Sequence, residues 1–161
     1  MKKLFALLLV LALLLPCIAL GETLTSEDGV CVVTLPDGYY LDGNAAMAPD
    51  KMGNLNIQHT SFGFSMDMIV MLKDTLDETF TKQYVDTFGV TEDDITTHDI
   101  ITVGDRQWYR IDIAMSMMGV DFVAQQYITV CGEENDANLL TFTAIDDAEV
   151  QYMLENVAFN K

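Results

Sequence analysis

The chain has 161 residues, with 8 Lys or Arg against 25 Asp or Glu and a formal net charge of −17 at pH 7. A field of that sign repels phosphate backbones and anionic membrane surfaces, which excludes nucleic acid as an expected partner. Hydrophobic residues make up 50% of the chain, too many for the acidity to signal disorder.

Met1-Lys2-Lys3 is a short positive stretch, Leu4 to Leu15 is an unbroken apolar run, and Pro16 ends it. Ala19-Leu20-Gly21 then supplies small residues at the −3 and −1 positions of a cleavage site. This pattern predicts a signal peptide over residues 1–21, cut before Glu22. The run is too short for a membrane span, and no stop-transfer segment follows. Cys17 offers a lipoprotein alternative, but Leu14-Leu15-Pro16 lacks the small residue expected just before a lipidated Cys. Residues 22–161 fit one domain able to bury a core without staples. The expectation is a secreted monomer whose partner, a protein or a small ligand, lies outside the cell. Cys31 and Cys131 are an even pair in an exported chain and permit a disulfide, two buried thiols being the alternative.

Glu22 to Gly29 reads as a loose lead-in. Val30 to Leu35 reads as a strand closed by the turn Pro36-Asp37-Gly38. Tyr39-Tyr40-Leu41 resumes briefly, Asp42-Gly43-Asn44 turns again, and Ala45 to Pro49 is expected at a sheet edge because of its proline. Asn54 to His59 alternates as a strand should. For Ser65 to Leu72 periodicity leaves a buried strand and a helix entry both open. Thr75 and Glu78 form a capping pattern that starts a helix; Leu76, Phe80, Tyr84, Val85 and Phe88 give its apolar stripe and Gly89 its stop. Glu92-Asp93-Asp94 is an acidic loop before a strand near Ile95 to Val103, and Gly104-Asp105 turns the chain.

The long hairpin that follows dominates the reading. Tyr109, Ile111, Ile113, Met115 and Met117 fall on one face, and Val120, Phe122, Ala124, Ile128 and Val130 on the matching face of the next strand. A two-residue loop at Met118-Gly119 pairs Met117 with Val120, Met115 with Phe122, Ile113 with Ala124 and Tyr109 with Ile128, so every pair is apolar. Met-Gly is a weaker turn signal than Asn-Gly, which leaves a longer loop open. The opposite face sets Trp108 beside Thr129, Arg110 beside Tyr127 and Asp112 beside Gln125. After a polar turn over Gly132 to Asp136, Leu139 to Ala144 forms another strand. Asp146 and Glu149 then cap a closing helix with the stripe Val150, Met153, Leu154 and Val157.

This order of elements, from the strand ending in Leu35-Pro36-Asp37-Gly38-Tyr39 to the closing Asn156-Val157-Ala158-Phe159, resembles the PsbP-like fold, shared by small exported bacterial proteins of the DcrB-like kind. The resemblance implies an α+β chain, an antiparallel sheet with two main helices packed on it as an α/β/α sandwich. It also implies an accessory role at the cell envelope. It carries no active-site motif and transfers no functional residue.

Three chemistries remain to be weighed. The two histidines, His59 and His98, come without a Gly-x-Ser-x-Gly elbow, a phosphate loop or a His-Glu-x-x-His helix. A hydrolase would have to assemble its site in three dimensions, and the expectation is a non-catalytic domain with no cofactor. Met66-x-Met68-x-x-Met71 and Met115-x-Met117-Met118 could offer thioethers to Cu(I), though Met115 and Met117 are expected to fill the core. The acidic clusters at Glu92–Asp94 and Glu133–Asp136 lack the spacing of a calcium loop. Trp108, Arg110 and Tyr127 are residue types enriched in interface hot spots and form the candidate partner surface, the alternative being that a helix covers them.

Overall fold

Alternating apolar and polar residues build two antiparallel sheets in the computed structural model, which describes residues 21–50, 52–61, 63–131 and 136–160, with the backbone alone at 60, 61, 97, 131 and 136. The leader with Cys17, and the Gly132 to Asn135 part of the polar turn, lie outside the described residues.

The small sheet joins β1 (Thr23–Thr25), β2 (Cys31–Thr34) and β10 (Val157–Phe159) in the order β1-β2-β10. Two expectations are corrected here. The lead-in contains a strand, because Leu24 is buried opposite Val33. Val157 opens a strand beside Val33 instead of extending the closing helix, which ends at Glu155 with Asn156 as its C-cap.

The large sheet has the order β3-β4-β5-β9-β8-β7-β6, with β3 at Tyr40–Asp42, β4 at Ala45–Met47, β5 at Asn54–Ser61, β6 at Ile95–Val103, β7 at Arg106–Met117, β8 at Val120–Cys131 and β9 at Asp136–Thr143. Its β7–β8 hairpin has the register read from the sequence, Met117 opposite Val120 and Tyr109 opposite Ile128. Met118 at φ 54° and Gly119 at φ 80° form the two-residue loop, both in the left-handed region that matches strand twist. β4 is not an edge: it lies between β3 and β5, and the strand stops at Met47, before Pro49 would cost it a hydrogen bond. β3 takes the edge.

Helix α1 (Met66–Met71) settles the ambiguous segment, with the Ser65 side chain accepting from the Met68 N–H at 3.3 Å. Helix α2 (Lys73–Phe88) starts two residues before the Thr75 cap that the sequence suggests, because the chain runs into it from α1 through Leu72. No side chain caps its first turn; the Leu72 N–H at that junction donates to Met68 O of α1 at 2.9 Å. Gly89 ends it at φ 68°. Helix α3 (Asp147–Glu155) carries the expected Asp146 cap, which accepts from the N–H groups of Ala148 and Glu149.

The result is an α+β sandwich. One face of the large sheet, with Tyr109, Ile111, Ile113 and Ile128, packs under α1 and α2 through Ile69, Tyr84, Leu76 and Phe80. The other face, with Trp108, Tyr127, Leu140 and Phe142, packs against Val33 and Leu35 of the small-sheet side and Val150, Met153 and Leu154 of α3. That outer layer is therefore mixed, part helix and part sheet, rather than a helix layer alone.

Candidate functional site

The hairpin face carrying Trp108, Arg110 and Tyr127 is interior. Trp108 is 0% and Tyr127 2% exposed, their rings meeting edge to face at 6.4 Å. A partner cannot reach either ring, which corrects the candidate surface to a core contact. Arg110 alone reaches water; it forks onto Asp112 two residues along the strand, with bonds of 2.8 and 2.6 Å. Tyr127 donates to Gln125 and Gln125 to Asp147 in the first turn of α3, each at 2.8 Å. These residues fasten α3 to the sheet. Cys31 is buried on β2, while the side chain of Cys131, and with it the choice between a disulfide and two thiols, lies outside the described residues.

Each histidine meets a carboxylate, and neither arrangement has the order of a nucleophilic triad. His59 Nδ1 lies 2.9 Å from Asp28 Oδ2, and the Ser26 hydroxyl donates to Asp28 Oδ1 at 2.5 Å. Ser26 Oγ in turn accepts from the Cys31 N–H at 2.8 Å. The carboxylate thus stands between hydroxyl and imidazole, whereas activating a serine requires the imidazole in the middle. Burial pushes the Asp28 pKa up, but the bonds from Ser26 and Val30 and the nearby His59 outweigh this and hold it low.

On the helical face, Asp77 of α2 accepts from Lys73 Nζ at 2.6 Å and Tyr109 Oη at 2.7 Å, with His98 Nδ1 at 3.4 Å. Burial and then the Asp77 bond raise the Tyr109 pKa, so it stays a donor. Burial, aided by Lys73 and opposed by Asp77, lowers that of His98. His98 Nε2 is buried, with no hydrogen-bond partner among the described residues. A substrate has no access to it, so this cluster serves as a tie between α2 and the β6–β7 strands.

A hollow of ligand size lies where the C-terminal half of α2 overhangs β5, β9 and β8; its volume is about 360 Å³, within the roughly 300–1,000 Å³ usual for ligand sites. Asn56, Gln58 and Gln126 supply amides from the sheet, and Gln83 a further one from the helix. Along α2, Phe80, Tyr84 and Phe88 stand at successive four-residue steps with their rings nearly parallel, 6.1 and 5.8 Å apart. Helical spacing puts them in one row. The Tyr84 hydroxyl donates to Gln126 Oε1, and burial pushes its pKa up to about 12. Gln126 therefore presents its amide hydrogens as donors. Among the described residues, no acidic or basic side chain lines this hollow. Helical spacing alone marks the aromatic row as a core stripe and gives no sign of the amides. Their one signal is the alternation Asn54-Leu55-Asn56-Ile57-Gln58 in β5 and the Gln125-Gln126 pair in β8.

No family model and no curated protein matches the chain. Among solved structures, the crystal structure of a protein from Bacteroides thetaiotaomicron VPI-5482 is similar, with a TM-score of 0.59 at 14% identity over 88% of this chain and 49% of that one. The chain spans about half the length of that protein. At this identity the likeness shows a shared α+β fold.

Proposed function

We propose that the chain is an exported, non-catalytic binding domain of the PsbP-like kind, and that the hollow under α2 takes a neutral, polyhydroxylated ligand such as a short saccharide. The observation that carries this is an uncharged amide floor beside a row of aromatic rings whose outer member, Phe88, is exposed. Amides donate and accept, as sugar hydroxyls do, while a ring face covers the apolar C–H side of a pyranose. An anionic or cationic guest would find no counter-charge there. Export is supported by the Lys2-Lys3 and Leu4 to Leu15 pattern. Among the described residues no helix is long and apolar enough to cross a membrane.

The test is titration with neutral and acidic disaccharides and with dipeptides, followed by the side-chain amide NMR signals of Asn56, Gln58 and Gln126. Neutral disaccharides are expected to shift these signals, and Phe88→Ser, an exposed change, to abolish the shift without unfolding. Amide signals that stay still for neutral sugars, or that move only for dipeptides or acidic sugars, refute the assignment.

A further inference from the structure

Beyond the end of β9, whose pairing with β8 stops at Ala124 opposite Thr143, the β7–β8 hairpin continues alone to its Met118-Gly119 turn. The first position of such a turn favours Asn, Asp or Gly, because a side chain at positive φ is strained. Met118 occupies it at φ 54°. Its side chain is 99% exposed, so no packing offsets the strain. Met117 beside it is 61% exposed, where the sequence reading expected a core filler, and Met115 alone packs against the core. A third methionine, Met52 from the β4–β5 turn, is 56% exposed. Met52, Met117 and Met118 line one hollow of about 340 Å³ floored by Val120 and Phe122.

We propose that Met52, Met117 and Met118 form a binding site for a soft monovalent cation, Cu(I). Thioether sulfur is a neutral, polarisable donor that suits Cu(I) and serves harder ions poorly. Three unbranched side chains can adapt to the loose geometry such an ion accepts. Neutral donors leave the ion's positive charge uncompensated, and the chain's net charge of −17 favours that charge at its surface. Asp50 and Asp121 lie within two and three residues of Met52 and Met118 along the chain. Borderline ions have no comparable place, since the described residues hold no group of three His, Cys, Asp or Glu side chains. The other methionine cluster is less suited, because Met66 packs inward and leaves Met68 and Met71 as a pair on α1.

The experiment is an anaerobic Cu(I) titration of the purified protein against a chromogenic chelator, with methionine methyl NMR as the site readout. One Cu(I) per chain is expected, with the methyl signals of Met52, Met117 and Met118 shifting while those of Met115 and buried Met153 stay still. Met117→Leu with Met118→Leu keeps the surface apolar and removes two sulfurs, and should weaken binding at least tenfold with an unchanged circular dichroism spectrum. No competition with the chelator, shifts confined to Met68 and Met71, or undiminished binding by the leucine variant, which marks adventitious metal, would each overturn the site. Should the leucine variant fold poorly, Met52→Leu, changed in a separate turn, gives the same reading.

Discussion

Replacing Trp108 by alanine and by phenylalanine tests whether the mixed face is core. The ring is fully buried between Tyr127 of the large sheet and the layer of α3 and the small sheet. Truncation to alanine removes on the order of 150 Å² of buried apolar area, about 4 kcal/mol at ~25 cal/mol/Å², in line with the 3–5 kcal/mol measured for such changes. Phenylalanine keeps most of that area. It also removes Nε1, which is buried with no hydrogen-bond partner among the described residues. Leaving such a donor unpaired costs about 1–3 kcal/mol, so its removal offsets part of the lost packing in both variants alike, and the retained ring area alone separates them. Trp108→Phe should therefore cost no more than about 1.5 kcal/mol, and the two variants should differ by at least about 2. Urea unfolding followed by far-ultraviolet circular dichroism is the assay, because Trp108 is the sole tryptophan and the variants lose its fluorescence. At stabilities of about 5–15 kcal/mol the alanine change would consume much of the total. An alanine cost below about 1 kcal/mol would refute the core assignment and return Trp108 to the surface.

Acid should weaken the fold in two stages. His98 has a native pKa below its ordinary 6.5, chiefly through burial. The unfolded chain therefore takes up that proton first, and stability falls as pH drops from 6.5 toward the native value. Asp77 is held below 3.8, since the bonds from Lys73 and Tyr109 and the charges of Lys73 and His98 outweigh its burial; a second loss therefore follows below 3.8. His98→Gln should flatten the first stage in urea midpoints measured from pH 7 to 5, and stability that rises on acidification there would contradict the cluster. Gly53→Ala should cost about 1–3 kcal/mol, because the new Cβ would sit 2.9 Å from Ala144 O and 3.0 Å from Ala48 Cβ. Thermal melting checks this, and an unchanged midpoint would show that the β4–β5 turn has room to move.

The local patterns were legible because they are set by residues close in sequence. Strand alternation from Tyr109 to Val130 specified the hairpin register, since a slip by one residue would turn Ile111 and Ile113 to the other face. Gly89 and Asp146 marked helix ends through backbone conformation and a side-chain oxygen at a free N–H, both local effects. The strands at Thr23 and Val157 were not legible, because three-residue segments owe their form to β2 between them and not to any propensity of their own.

The candidate sites were legible only in part: the Met117-Met118 pair stands out in the sequence, and its companions do not. Composition determined that the chain is acidic and has a core, and alternation determined which residues of each strand share a face. Neither could say that α3 and the small sheet cover Trp108, that α2 overhangs the amides of β5 and β8, or that Met52 joins Met117 and Met118. Those facts depend on where separate segments meet, and long-range packing decides that, because burial energy depends on what covers a face and not on the pattern within it.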